Sequence, residues 1–424
     1  MQTAGKRMVF YVLMVSIVIL GIEAGSQILY FAHKGHFLFQ RRPGEVFNIR
    51  EFSVLTNDAR GFTAIPNYTN TNYKSQVSSF NSFKFREWFL SFDSFGFRRS
   101  KQTESSSGQR NIVFIGDSVP FGWGVSDDSS LPSQFFERLQ KNSVSIMASA
   151  AVTAPVLSPS TAALEERKMQ GLRRQTAGPQ GADMVSAAEN AMSFGVVNAA
   201  LPSYALAQAV ARYEHEIHGR MAVDAVYLQI YDPASQIALR GSHWQPSDNW
   251  MNAPYVGTSF WSRHSAAIVI AEGVASRLNI RFGGVESLVE TFDPNDTATT
   301  KRVHAHVRAE LERLLALSKT DGMRRLIIAP VTIPARSLEG YYSRSRLSAI
   351  ELVNQDLRDF ASSHNNEVIF ADTISLLRRY PEADVFLDRC CHLTERGNGI
   401  VAEYLITLLL DSGHFSQNRV PGKM

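Results

Sequence analysis

"FIGDSVPFGWGV", residues 114–125, follows Ile112 and Val113 and so ends a short apolar run, "NIVFI" at 111–115, with Gly-Asp-Ser. A continuous apolar run of this length reads as a strand buried on both faces. The residues after it are small and polar, then glycine on either side of a tryptophan. A serine placed where a buried strand turns into a helix presents its hydroxyl at the strand's carboxyl end, which is where open parallel sheets bind their ligands. The backbone N–H groups of such a turn favour negative charge. Gly122 and Gly124 permit a sharp turn or a close backbone approach. Alone, the tripeptide is a weak signal, because Asp-Ser before a helix also serves as an ordinary N-cap.

The same strand-then-helix rhythm continues outward from this stretch. Strands are predicted at "FGVVN" (194–198), "DAVYLQIY" (224–231), "RLIIAP" (325–330) and "EVIFA" (367–371). Helices are predicted at 130–141, 204–217, 301–319, 345–363 and 394–411. Helices alternating with short apolar strands predict an α/β fold with a parallel sheet covered on both faces. Two stretches break the rhythm and read as insertions. Residues 148–190 are rich in Ala, Ser, Pro and Gln. Residues 241–300 contain "GSHWQPSDNWMNAPYVGTSFW", whose Trp244, Trp250, Tyr255, Phe260 and Trp261 either line a cleft or anchor a surface loop.

The chain of 424 residues is 44% hydrophobic and 20% charged, an ordinary globular composition. A net charge of +3 gives no argument for a nucleic-acid partner. The two cysteines are adjacent, Cys390 and Cys391, which excludes a disulfide framework and a four-cysteine zinc site. Neighbouring cysteines bridge only with strain, so they read as two thiols in a packed segment. His304 and His306 are spaced i, i+2 on a predicted helix, point in different directions and do not read as a metal pair. No metal or cofactor is implied. Asn67 and Asn295 begin Asn-x-Thr sequons, which matter only in a glycosylating pathway.

The amino terminus is of another kind. "MVFYVLMVSIVILGI", residues 8–22, is uncharged and follows Lys6 and Arg7. It reads as a membrane anchor running to about residue 32 or as an export signal cleaved near Ala24-Gly25-Ser26. Either places the rest of the chain outside the cytoplasm. An anchor would bury Glu23, which requires a partner or an interfacial position. Residues 33–110 form an aromatic-rich extension and linker, 111–412 the sheet domain, and 413–424 a tail.

A serine nucleophile needs a base. His392 lies in "FLDRCCHLTERGNGIVAEYL", just ahead of the last helix, with Asp388 four residues before it. There a carboxylate can fix the tautomer of an imidazole that faces the serine. Together, "IVFIGDSVPFGWGV" near the start of the sheet domain and this block at its end resemble the first and last sequence blocks of the GDSL/SGNH hydrolases. The resemblance spans roughly residues 110–412. It implies a flavodoxin-like three-layer α/β/α sandwich and hydrolysis or transfer of ester-linked acyl groups. It makes Ser118 the nucleophile, His392 the base and Asp388 its orienting acid, with Gly116, Asp117, Gly122 and Gly124 shaping the turn.

The middle blocks depart from the family pattern. Ser203 stands in "VVNAALPSY" where an oxyanion-hole glycine is expected, although its backbone N–H remains able to donate. Tyr231 precedes Asp232 where Asn-Asp is expected, and loss of one oxyanion donor typically costs about 3 kcal/mol of transition-state stabilisation. The usual Asp-x-x-His is lengthened here by one residue. The resemblance therefore implies an oxyanion hole of Ser118, Ser203 and Tyr231, and an ester substrate such as an acylated glycan. Acyl transfer to cell-surface polysaccharide uses the same triad, and a non-catalytic carbohydrate-binding protein on the same fold is a third reading.

Overall fold

The computed structural model describes residues 2–34, 37, 52–56, 58–60, 62–78, 83–100, 110–152, 194–202, 204–230, 265–268, 270–271, 293–338, 343–412 and 414. The chain divides into two compact units, one of Met1–Ile65 with Arg240–Thr291 and one of Pro66–Leu239 with Phe292–Met424.

In the first unit, helix α1 (Gln2–Lys34) is continuous through the apolar segment. Its stretch Phe10–Ala32 is 23 residues long with mean hydropathy 2.0, enough by length and composition to cross a membrane. Phe10, Leu13, Ile17 and Leu20 are exposed along it. Glu23 sits within this stretch, and its carboxylate is satisfied inside the unit. It accepts from Gln27 Nε2 at 2.8 Å, Ser265 Oγ at 2.6 Å and the Ala266 N–H at 2.8 Å. Ala266 opens a helical stretch, so Glu23 supplies negative charge to otherwise unpaired N–H groups at a helix start. The unit also holds a short antiparallel pair, β1 (Ser53–Leu55) and β2 (Phe62–Ala64).

The second unit begins with an antiparallel hairpin of β3 (Thr69–Ser78) and β4 (Phe83–Ser91). The main sheet consists of β5 (Arg110–Gly116), β6 (Phe194–Asn198), β7 (Val223–Gln229), β8 (Arg325–Ala329) and β9 (Val368–Phe370). All its pairings are parallel, in the order β6-β5-β7-β8-β9. Renumbered within the sheet this is 2-1-3-4-5, the flavodoxin-like doubly wound order. The expected α/β sandwich is therefore the observed fold.

Both sheet faces are covered because both parities of the strand residues are apolar. On one face Ile112, Phe114, Ala225, Tyr227 and Ile327 meet α3 (Leu131–Val152) and α9 (Glu395–Asp411) through Leu131, Phe135, Leu139, Val401 and Leu405. The alternate residues Val113, Ile115, Val226, Leu228 and Ile328 are equally buried. By the right-handed rule for parallel crossovers, α4 (Leu206–Arg212), α5 (Thr297–Thr320) and α6 (Arg344–Ser363) cover that second side, with α5 packed against both α4 and α6. Each such side chain removed from water contributes about 1.5–3 kcal/mol.

The predicted helix at 204–217 is regular only over Leu206–Arg212 and continues as a single π turn, Tyr213–Ile217. The predicted insertion at 148–190 starts on α3, which runs to Val152. Residues 153–193 lie outside the described residues, as do 231–264, with Trp244, Trp250, Tyr255, Phe260 and Trp261. Two short helices, α7 (Thr373–Leu377) and α8 (Glu382–Val385), precede α9. Of the i, i+2 histidines, His304 pairs with Asp356, and His306 is half-buried, with burial holding its imidazole below the ordinary pKa.

Candidate active site

The connection leaving β5 runs to β6 on one side and the connection leaving β7 runs to β8 on the other, so the carboxyl ends of these adjacent strands flank the switch point where doubly wound folds bind ligands. Gly116 ends that strand with φ at 137°, and a Cβ there would lie 2.0 Å from the Gln229 carbonyl oxygen of β7. Only glycine fits between the strands at this point. Asp117 follows as the N-cap of α2 (Ser118–Phe121), its carboxylate accepting from the Val119 N–H at 3.0 Å. Asp117 is buried, with its carboxylate turned to the helix start, and its charge adds to that of Asp388 in favouring the His392 imidazolium. Ser118 opens α2, so its own N–H has no intrahelical acceptor.

Gly122 and Gly124, at φ of 85° and 81°, reverse the chain after α2. A Cβ on Gly122 would meet the Ser130 Cβ at 2.8 Å and Arg98 Nη1 at 2.9 Å. Arg98, fully buried, holds this loop from the end of the hairpin. Its Nη1 donates to Phe121 O at 2.6 Å and Gly122 O at 2.7 Å, its Nη2 to Val125 O at 2.6 Å, and its Nε to Asp127 Oδ1 at 2.7 Å. Ser91 Oγ donates to the other carboxylate oxygen of Asp127 at 2.6 Å. The Arg98 guanidinium also lies over the rings of Trp88 and Phe121, at 4.9 and 4.7 Å from the centroids.

At the other end of the chain, the segment between α8 and α9 is closed by a Phe386–Leu393 bridge and by Thr394, which caps α9. His392 stands there with Nε2 2.9 Å from Ser118 Oγ and Nδ1 2.5 Å from Asp388 Oδ2. Ser118, His392 and Asp388 are thus brought into one hydrogen-bonded line across 274 residues of sequence. The four-residue spacing from Asp388 to His392 has a use. Asp388 Oδ1 accepts from the backbone N–H groups of Cys390, Cys391 and His392, at 2.9, 3.1 and 3.2 Å, while Oδ2 is left for the imidazole. The longer spacing lets one carboxylate fold its own loop and face the ring.

The electrostatics follow from this geometry. Burial resists charge on Asp388, but the His392 imidazole and the donated N–H bonds outweigh it and hold the carboxyl below its ordinary pKa. Burial likewise disfavours the imidazolium of His392, yet Asp388 dominates and its pKa is raised to about 9. Burial and the facing thiol of Cys390 push the Cys391 thiol up. Trp123, half-buried, has its ring 6.3 Å from that of His392 and packs edge-on against Tyr73 and Trp88.

Ser203 and Tyr231, the other two expected oxyanion donors, lie outside the described residues. Arg98, Asp127 and Trp123 were not predicted from sequence. Arg98 acts on backbone carbonyls, which carry no side-chain signature.

No family profile matches the chain, and no curated protein does. Among solved structures the chain is similar to a lipolytic G-D-S-L family protein from Veillonella parvula, at 12% identity and a TM-score of 0.31, over 71% of this chain and 98% of that one. It is also similar to an acetylxylan esterase from Geobacillus stearothermophilus, at 12% identity and a TM-score of 0.33, over 76% and 100%. A third is an α/β hydrolase from the metagenome of Lake Arreo in Spain, at 12% identity and a TM-score of 0.34, over 73% and 97%. At such scores these likenesses carry no weight for what the chain does; the side-chain geometry does.

Proposed function

We propose that this chain is a serine acylhydrolase that cleaves ester-linked acyl groups and works outside the cytoplasm, held at a membrane by α1. The observation that carries the reading is the contact line from Ser118 Oγ to His392 Nε2 at 2.9 Å and from His392 Nδ1 to Asp388 Oδ2 at 2.5 Å. His392 takes the proton as Ser118 Oγ attacks the ester carbonyl, and Asp388 stabilises the imidazolium so formed. The oxyanion is held by the Ser118 N–H at the start of α2, with Ser203 and Tyr231 as the remaining donors. His392 returns its proton to the departing alcohol, an acyl-enzyme remains, and water attacks it with His392 again as base. A sugar hydroxyl in place of that water turns the same steps into acyl transfer.

The membrane attachment is supported by the exposed apolar length of Phe10–Ala32 and by the internal partners of Glu23, which suit a retained helix.

The test is covalent labelling of the full chain in detergent by a fluorophosphonate, with Ser118→Ala and His392→Ala beside it. Labelling lost in Ser118→Ala and sharply slowed in His392→Ala is expected. A folded wild type that takes no label overturns the reading and leaves a binding protein on the same fold.

A further inference from the structure

The acylhydrolase reading leaves one reactive pair without a task. Cys390 and Cys391 lie between Asp388 and His392, with their Sγ atoms 2.9 Å apart. Both are thiols, not joined as a disulfide, and Cys391 is buried while Cys390 is partly open to solvent. Their backbone N–H groups supply two of the three bonds that hold Asp388 Oδ1. The carboxylate that positions His392 is therefore held by the backbone of the dithiol itself.

We propose that Cys390–Cys391 is a redox modification site: a reversible vicinal disulfide whose closure withdraws Asp388 from His392 and silences Ser118. The proposal rests on the acylhydrolase reading for its consequence, though not for the disulfide itself.

The argument is stereochemical. Cα atoms of adjacent residues are about 3.8 Å apart, below the roughly 4.4–6.8 Å at which disulfides are relaxed. Closing the ring must turn the 390–391 peptide and its flanking dihedrals, and the N–H groups aimed at Asp388 turn with it. The strain also sets the chemistry, because strained disulfides are the easily reduced, regulatory kind. The ring closes only under oxidising pressure and reopens first when that pressure falls. An exported protein meets such conditions.

The oxidant is a low-molecular-weight disulfide. The Cys390 sulfur, the more accessible of the two, attacks it as thiolate. The reagent's S–S bond breaks and its first thiol leaves. The Cys391 sulfur then attacks Cys390 Sγ in the mixed disulfide and expels the second thiol. The protein loses two electrons and two protons, and the reagent gains both as a pair of thiols.

The test uses the full chain in detergent, reduced or exposed to oxidised glutathione. A chelator is included to keep thiophilic metals off the two sulfurs, which lie with a His392 ring nitrogen within 4.8 Å of one another. Expected are a Cys390–Cys391 peptide lighter by a pair of hydrogens and a fluorophosphonate labelling rate at least about tenfold lower. Dithiothreitol should restore both. Cys390→Ser should show the same rate with and without oxidant, whatever that rate is. A ring that closes with labelling unchanged overturns the proposal. So does a glutathione adduct that stays on Cys390, or an oxidant response that survives in Cys390→Ser. If the reduced protein takes no label, the acylhydrolase reading fails by itself. The His392 ring signals in NMR then decide the proposal: they must move between the two redox states, and signals that stay put overturn it.

Discussion

Arg98 Nη1 donates to the carbonyl oxygens of Phe121 and Gly122, at 2.6 and 2.7 Å, and so ties the end of the hairpin to the loop that carries Ser118. Four bonds from one buried guanidinium fix the end of α2 and the turn that follows it. A lysine, with one ammonium, cannot span three carbonyls and a carboxylate.

Arg98→Met should therefore be severe. It removes the cation that faces the buried Asp127 carboxylate, leaving that charge to Ser91, and it takes a donor from each of three carbonyls. Breaking a buried pair in this way costs about 3–5 kcal/mol. Denaturant unfolding of the reduced protein checks this. Arg98→Lys should retain part of the stability while labelling of Ser118 falls further than stability does. Equal labelling in Arg98→Lys and wild type would mean that the clamp does not position the serine.

Gly116→Ala is expected to be among the most damaging small substitutions in the sheet. The added methyl meets the Gln229 carbonyl oxygen at 2.0 Å, and φ is 137°. Overpacking and positive-φ strain each cost about 1–3 kcal/mol, so a loss near 3 kcal/mol or more is expected. Gly219→Ala makes the comparison, since a Cβ there has nothing within 4 Å and only φ opposes it. Similar melting temperatures for the two variants would overturn the close-approach argument.

The sheet was legible because its strands announce themselves: Ile112–Ile115, Phe194–Val197 and Leu326–Ala329 are unbroken apolar runs at spacings that leave room for crossover helices. Ser118, His392 and Asp388 were legible from two blocks at opposite ends of the domain. What the fold adds is that the lengthened Asp388-to-His392 spacing is a loop folded around its own carboxylate. The hairpin of β3 and β4 was missed because its strands, "TNTNYKSQVS" and "FKFREWFLS", mix polar and aromatic residues without a steady period. Arg98 was missed because neighbouring Arg99 looks the same in sequence, and only burial separates them.

The pH dependence follows from the direction of two shifts. His392 must be neutral to accept the Ser118 proton, and Asp388 holds its pKa at about 9 against an ordinary 6.5. Labelling should therefore rise with pH up to about 9. Stability runs the other way. A folded-state pKa above the unfolded one gives stability that is complete below 6.5 and lost as pH climbs through about 9. The depressed Asp388 carboxyl adds stability above its ordinary range near 3.8 that is lost as pH falls further. His392→Gln should abolish the alkaline part of the stability change. Labelling that levels off near pH 6.5 would show that Asp388 does not hold the ring.

Glu23 is the last case, and it concerns the first unit alone. Its carboxylate accepts from Ser265 Oγ and from the Ala266 N–H, at 2.6 and 2.8 Å, although it sits inside an apolar stretch long enough to cross a membrane. On hydropathy alone, Glu23→Leu improves the apolar segment. The contacts argue that it also removes a charged acceptor from the start of the helical stretch at Ala266. Hydrogen bonds to a charged group are worth about 1.5–3 kcal/mol each, which is tenfold or more in local opening. In lipid nanodiscs, the amide of Ala266 should therefore exchange with deuterium at least about tenfold faster in Glu23→Leu than in wild type. Glu23→Gln, which keeps an acceptor oxygen, should fall between. Identical exchange in all three would mean that Glu23 is tolerated for its position along α1 and not for its partners.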